Sequence, residues 1–301
     1  MTKKRPDPPK AFLKELAPPT PSYPYFDKAS QRVFAASAKN YSRKNASWLA
    51  DASLLAYESE GRIRNTFKKE LDATTSFHAK RGTHAYVAEM PAFAVVAFRG
   101  TQVDTFWETL ADIVTDLGVI PTLAKGAPGV VHSGFQAGLD DVWEPLRKRL
   151  EALPEGKPVW FTGHSLGAAL ATLAAARFGR AQGLYTFGSP RVGNLAFVNG
   201  VTCPVFRVVN NMDVVTTLPI ELPFAYTHAG GLRFIDASGS VHEEQGALHQ
   251  LLANAAVGTL ALQQLRMLIK AKSRELDFPL PGFLADHAPI YYAMYLWDAA
   301  G

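Results

Sequence analysis

Residues 163–167 read Gly163-His164-Ser165-Leu166-Gly167. They stand between the apolar, strand-like run Pro158 to Phe161 and the alanine-rich, helical run Ala168 to Ala176. The pattern is strand, sharp turn, helix, with a serine at the apex. A turn that tight holds the serine in a strained backbone conformation and leaves its hydroxyl exposed. Side chains two residues before and two after would collide, which accounts for glycine at both places. The helix that follows directs its N-terminal N–H groups at whatever Ser165 attacks. Ser165 is therefore the candidate nucleophile. The alternative is a turn that uses glycine and serine for geometry alone, and the strand and helix on either side weigh against it.

The flanking sequence continues the same alternation. Trp48, Leu49, Ala52, Leu55 and Ala56 recur at helical spacing. Tyr86 to Ala88 and Ala92 to Phe98 read as strands joined at Met90-Pro91. Ala94-Val95-Val96-Ala97-Phe98 is continuously apolar, as in a sheet covered on both faces. Helices are expected over 104–117, 139–152 and 166–178, and strands over 158–161, 184–187 and 204–209. This order predicts an α/β fold with a mostly parallel central sheet and helices on both faces.

At 301 residues the chain is long enough for one large domain with a sizeable core. Residues 1–27 are set apart by Pro8-Pro9, Pro18-Pro19, Pro21 and Pro24 and read as a proline-rich arm. Its Phe12, Leu13, Leu16, Tyr23, Tyr25 and Phe26 are available to dock it on the body. The remainder, 28–301, reads as the catalytic-type domain. The net charge of +4 is mild, and no basic stripe with interleaved aromatics points to nucleic acid. The basic residues near the N-terminus allow a weak attraction to anionic lipid surfaces. One cysteine, Cys203, excludes an intrachain disulfide and reads as a small buried residue. No apolar run is long enough to span a bilayer; Leu251 to Ile269 carries Asn254, Gln263, Gln264 and Arg266 and reads as an amphipathic helix. The basic N-terminus lacks a following apolar segment, so the expectation is a cytoplasmic or non-classically exported protein.

A serine hydroxyl needs a base to take its proton and an acid to orient that base. After a nucleophile on such a turn, acid and then histidine follow in the chain. Asp213 is the best acid, just past the strand Pro204 to Val209, where active-site loops gather. Four histidines come later: His228, His242, His249 and His287. His287, in a loop flanked by apolar and aromatic residues, is the preferred base, with His228 the main rival. Two backbone N–H groups must hold the developing oxyanion. Leu166 offers one; Thr101, after the break at Gly100, offers the other. Phe106, Trp107 and Leu110 lie on the apolar face of the helix that follows, which reads equally as a mobile lid or a fixed core helix. No phosphate-loop, zinc-peptidase, paired C-x-x-C or EF-hand pattern is present, and the chemistry asks for no metal and no cofactor.

Taken together, these motifs resemble the class 3, fungal-type lipases, which have the α/β-hydrolase fold. The matching pieces are Val95 to Thr101, Val131 to Phe135, Thr162 to Ala171, Thr186 to Asn194, Arg207 to Asp213 and the segment at His287. The resemblance implies a serine hydrolase of carboxylic esters, with Ser165 as nucleophile, Asp213 as acid and His287 as base. It also implies Thr101 and Leu166 as oxyanion donors, the segment after Thr101 as a lid, and lipid or small acyl esters as substrates, met at a lipid interface. His132, Arg191 and His228 fall in family motifs that are mainly structural. Ala168 stands where the family often has glycine, and the proline-rich arm has no evident counterpart. Two other readings stand beside this one: a catalytically silent lipase-like domain that binds lipid or protein, and a membrane-surface docking protein.

Overall fold

The strand Val159–His164 (β6) is buried along its whole length, because it lies at the centre of a sheet with helices on both sides. The computed structural model describes residues 23–101, 121–219, 226–243, 263–264, 267 and 281–301. The expected helix over 104–117 (with Phe106, Trp107 and Leu110), His249, most of the Leu251–Ile269 helix and residues 1–22 of the arm lie outside them.

Around β6 the strands are β1 (Thr74–Lys80), β2 (Thr83–Glu89), β3 (Ala94–Phe98), β7 (Gly183–Phe187), β8 (Val205–Asn210), β9 (Gly231–Ile235) and β10 (Val241–Glu243). The sheet order is β1-β2-β3-β6-β7-β8-β9-β10. β3, β6, β7, β8 and β9 run parallel, while β1, β2 and β10 add antiparallel edges. A separate ribbon pairs β4 (Pro121–Leu123) with β5 (Val130–His132).

The two faces of β6 follow from the period of a strand. Trp160 and Thr162 point one way and donate to the carbonyls of Ala36 and Leu49 at 2.9 and 3.1 Å. Leu49 belongs to α1 (Arg43–Leu55), which packs on that side on α7 (Pro289–Ala299), the helix that follows the short α5 (Leu195–Asn199) and α6 (Gly282–Ala285). Phe161 points the other way, its ring 5.7 Å from that of Phe178 in α4 (Leu166–Phe178). There α4 packs against α3 (Ser133–Glu151). α4 is mostly alanine and small residues on every side, which lets it lie close to the sheet. Gly179, at φ 71°, ends it in the left-handed conformation that glycine adopts most easily.

Several elements differ from the sequence expectation. α3 begins at Ser133 rather than Leu139, because the His132 ring caps it by accepting from the Gly134 N–H at 3.1 Å. α2 (Glu60–Leu71) and β1 were not expected: α2 buries only Ile63 and Phe67, and β1 is an edge strand with a single buried residue, His78. Cys203 is half-buried rather than buried, and burial still raises its thiol to about 11. At the start of the described chain, Tyr25 and Phe26 are buried. Asp51 accepts there from Tyr23 Oη at 3.0 Å and from the Phe26 N–H at 2.7 Å. Arg32 reaches across to α7, donating to the Trp297 carbonyl at 2.8 Å and lying 3.7 Å above its ring.

The strands β3, β6 and β8 end at the same edge of the sheet, since they are parallel and in register. The chain leaves them at Arg99-Gly100-Thr101, at Ser165 and at Asn211-Met212-Asp213. The site assembles there, as it does at the carboxyl edge of open α/β sheets.

Candidate active site

Ser165 sits at φ 57° and ψ −130°, a conformation an L-residue adopts only under constraint. Its N–H is tied to the Phe187 carbonyl at 3.0 Å. A Cβ at position 163 would overlap the backbone at Gly167, and one at 167 would overlap the Phe98 carbonyl. Both positions therefore need glycine for close approach of chain to chain. The serine precedes the first turn of α4, whose leading N–H groups have no partner within the helix.

Ser165 Oγ lies 2.9 Å from His287 Nε2. His287 Nδ1 lies 2.9 Å from each carboxylate oxygen of Asp213. A carboxylate accepts only, so Nδ1 carries the proton and Nε2 is left as acceptor for the serine hydroxyl. Asp213 is 2% exposed and is satisfied on every side. The Val215 N–H donates to its Oδ1 at 3.0 Å, and Tyr292 Oη donates to its Oδ2 at 2.6 Å. Gly188, at φ 57°, leaves room behind the pair: a Cβ there would stand 2.7 Å from Asp213 Oδ2 and 3.1 Å from His287 Cε1.

A further chain of contacts holds the elbow to the histidine loop. His164 Nε2 donates to the His287 carbonyl at 2.7 Å, which leaves Nδ1 to accept from Tyr57 Oη at 2.8 Å. Burial, with His287 beside it, drives the His164 imidazole well below its usual pKa, so it stays neutral. Tyr57 also closes on Gly100, where any side chain would meet its hydroxyl and the His164 carbonyl. Thr101 follows at this point and is half-buried. Thr101 and Leu166 thus stand at the ends of β3 and β6, adjacent strands of the sheet.

His228, His242 and His132 are engaged elsewhere. His228 Nε2 donates to the Thr216 carbonyl at 2.9 Å; burial and then Arg207 and Arg191 push its pKa well down and keep it neutral. His242 Nε2 lies 2.7 Å from Asp236 Oδ2 in the β9–β10 hairpin. His132 caps α3 and stacks on Phe135 at 4.2 Å, and burial lowers it to about 4. Arg191 clasps the loop after Asp213 through the Pro219 carbonyl at 2.8 Å. The roles of Tyr292, Tyr57 and Gly188 escaped the sequence reading. Gly188 lay inside the motif Thr186 to Asn194 and Tyr292 a few residues after His287 among aromatic residues, while Tyr57 left no trace.

Residues 95–222 match the family model described as lipase (class 3). The chain is 34% identical to the secreted mono- and diacylglycerol lipase 1 of Fusarium solani over 175 residues, 52% of this chain and 49% of that protein. It is 35% identical to the secreted mono- and diacylglycerol lipase A of Penicillium cyclopium over 144 residues, 44% of this chain and 45% of that one. It thus spans about half the length of these relatives. Among solved structures, lipase II from Rhizopus niveus superposes with a TM-score of 0.55 at 25% identity, covering 65% of this chain and 81% of that one. With the sheet order and the helices on both faces, this likeness makes the fold an α/β-hydrolase fold. The expectation of a cytoplasmic or non-classically exported protein is corrected by the relatives. The Fusarium and Penicillium proteins are named as secreted, which points outside the cell. Among the described residues no helix is long and apolar enough to cross a membrane.

Proposed function

We propose that this chain, which belongs to the class 3 lipase family, is a serine hydrolase that cleaves carboxylic esters of lipids through an acyl-enzyme. The observation that carries the reading is the 2.9 Å contact of Ser165 Oγ with His287 Nε2, backed by Asp213 at 2.9 Å from Nδ1. Ser165 Oγ attacks the ester carbonyl carbon as its proton passes to Nε2. The Thr101 and Leu166 N–H groups receive the negative oxygen. The imidazolium returns its proton to the departing alcohol as the carbon–oxygen bond breaks, leaving the acyl group on Ser165. Water then repeats the sequence and releases the acid. Asp213 holds the ring in the required tautomer and balances its charge throughout.

The substrate class rests on the relatives, whose names assign them mono- and diacylglycerols. The apolar residues Phe106, Trp107 and Leu110 after Thr101 serve in this reading as a lid that meets a lipid interface. Residues 1–27 serve as an arm appended to the 28–301 domain. This reading calls for no nucleic-acid partner, no metal and no cofactor.

Hydrolysis of a p-nitrophenyl ester series from acetate to palmitate, with wild type and Ser165→Ala side by side, tests the reading. The variant is expected to lose at least ~10³-fold in kcat while keeping its fold. Turnover by Ser165→Ala at the wild-type rate would eliminate the mechanism. A folded wild type that neither hydrolyses any ester nor reacts with a fluorophosphonate at Ser165 would favour the silent binding domain.

A further inference from the structure

Asp286 directly precedes His287, yet its side chain is bonded to the loop of Asp213. Its Oδ2 accepts from Asn211 Nδ2 at 3.0 Å and from the Met212 N–H at 3.1 Å. Its carbonyl accepts from Asn210 Nδ2 at 2.9 Å. These donors are the residues that lead into Asp213. Asn211 sits at φ 40° in the left-handed region, with its N–H on the Ile235 carbonyl at 2.7 Å. Such a conformation persists only where its surroundings fix it. One residue thus joins the loop of the acid to the loop of the base, in addition to the bond between Asp213 and His287 themselves.

Both side-chain bonds go to Oδ2, so Oδ1 is the oxygen that can take a proton. Asp286 lines an open cleft with Asn210, Asn211, Asp236, Gly282 and Tyr295, which gives it a route to solvent protons. The titratable groups around it are Asp213 and Tyr292 on the triad side, His287 next in the chain, Tyr295 lining the cleft, and Asp236 paired with His242 across it. Among the described residues no lysine or arginine is ion-paired with it. Burial, reinforced by Asp213, raises its carboxyl to about 7 against the opposing pull of the Met212 and Asn211 bonds. Burial alone would also raise Asp236, but hydrogen bonds from His242, Ser238 and Ser240 bring it to about 2, so it is ionised when Asp286 titrates.

We propose that Asp286 is a positioning residue for the His287–Asp213 pair, and that protonation at its Oδ1 loosens the acid loop and lowers turnover. Hydrogen bonds to a carboxylate are roughly twice as strong as those to a neutral carbonyl, so the proton weakens the hold on Asn211 and Met212. The proposal rests on the Ser165–His287–Asp213 reading.

Under that reading the acid limb of kcat/KM needs two deprotonated groups, the imidazole and Asp286. The plot of log kcat/KM against pH is then steeper than a slope of 1 in wild type below neutrality, because each of the two protonations lowers the rate. Asp286→Asn keeps an oxygen to accept from Asn211 and Met212 but cannot ionise, so the slope falls to about 1 and the rate above neutrality drops to that of the protonated wild-type form. A residue that served packing alone would change the height of the profile and not its slope. Equal slopes and midpoints in wild type and Asp286→Asn would overturn the proposal. Asn211→Gly supplies a second route, because glycine accepts the left-handed backbone. With one donor gone the charged form is less favoured, so the acid limb moves up and the rate at pH 6 falls roughly threefold to tenfold. An unmoved limb in that variant would also overturn it. Ser165→Ala, assayed in parallel, separates the two ideas. If it stays active, the triad reading fails; if it is dead while the Asp286 profile is unchanged, only the Asp286 role fails.

Discussion

Removing the Tyr292 hydroxyl should cost the protein both stability and rate, in amounts that follow from its two bonds. The side chain is 1% exposed, so Tyr292→Phe leaves the packing of the ring in place and deletes one oxygen. That oxygen donates to Asp213 Oδ2 at 2.6 Å and accepts from the Asn210 N–H at 3.0 Å. Burial, with Asp213 beside it, raises the phenol well above its usual pKa, so it is a hydroxyl donor across the working pH range. A hydrogen bond to a charged partner contributes about 1.5–3 kcal/mol, and a buried N–H left without a partner costs about 1–3 kcal/mol. The two overlap, because the loop relaxes once for both, and a total loss of about 3 kcal/mol is expected. Asp213 keeps the Val215 N–H and His287, so orientation of the base is weakened rather than lost. The expected fall in kcat is about tenfold to thirtyfold, or ~1.4–2 kcal/mol of barrier, with KM unchanged because the hydroxyl does not face Ser165. Urea unfolding and p-nitrophenyl butyrate kinetics on the same preparations measure both quantities. A variant within ~0.5 kcal/mol and twofold of wild type would mean that Asp213 is not held by this hydroxyl.

Two other perturbations follow from the site's geometry. Gly167→Ala places a methyl group on the Phe98 carbonyl, backbone against backbone, and should destabilise the fold by about 3 kcal/mol or prevent its accumulation. Normal expression, an unchanged unfolding midpoint and an unchanged fluorophosphonate reaction rate would contradict the packing of the elbow. In the second, stability should fall with acid. His132, His164 and His228 are all depressed in the folded chain, so the unfolded chain binds the extra protons and their contribution is lost as pH drops below ~6.5. Asp286 has the opposite sign: its raised carboxyl binds a proton in the folded chain first, so its contribution fades as pH rises toward about 7. The histidines outnumber it, and the unfolding free energy measured in urea should decrease from pH 7.5 to pH 5. A flat or rising trend would place those imidazoles in contact with water.

The strand–turn–helix around Ser165 was legible because its signals are local. A glycine at 163 and another at 167, a continuous apolar run before them and small residues after them act over neighbouring positions. β3, α4, β7 and β8 were read within two residues of their observed ends for the same reason, since buried parallel strands and small-residue helices carry dense patterns. Asp213 and His287 were legible as candidates from chain order and local setting. The apolar and aromatic residues around His287 made it the preferred base, but they could not exclude His228, which lies in a similar short loop beside an aromatic residue. The sheet decides the placement: β6 and β8 run parallel with β7 between them, which brings the end of β8 toward Ser165, and α7 returns to set His287 between them.

Residues that act across the fold left almost no trace in the sequence. Tyr57, at the end of α1, meets His164 from 107 positions away, and Asp286 meets Asn211 from 75. Neither spacing has a period, and tyrosine and aspartate are common in loops. α2 and β1 were missed because a helix with two buried residues and an edge strand with one carry weak patterns. The linear sequence determined which residue types were present for a nucleophile, an acid and a base, and the local geometry that strains Ser165. The packed chain decided which histidine faces the serine, what satisfies the buried carboxylate, and which second carboxyl lies beside it. Those depend on hydrogen bonds and burial between segments far apart in the chain, and these exist only once the sheet has formed.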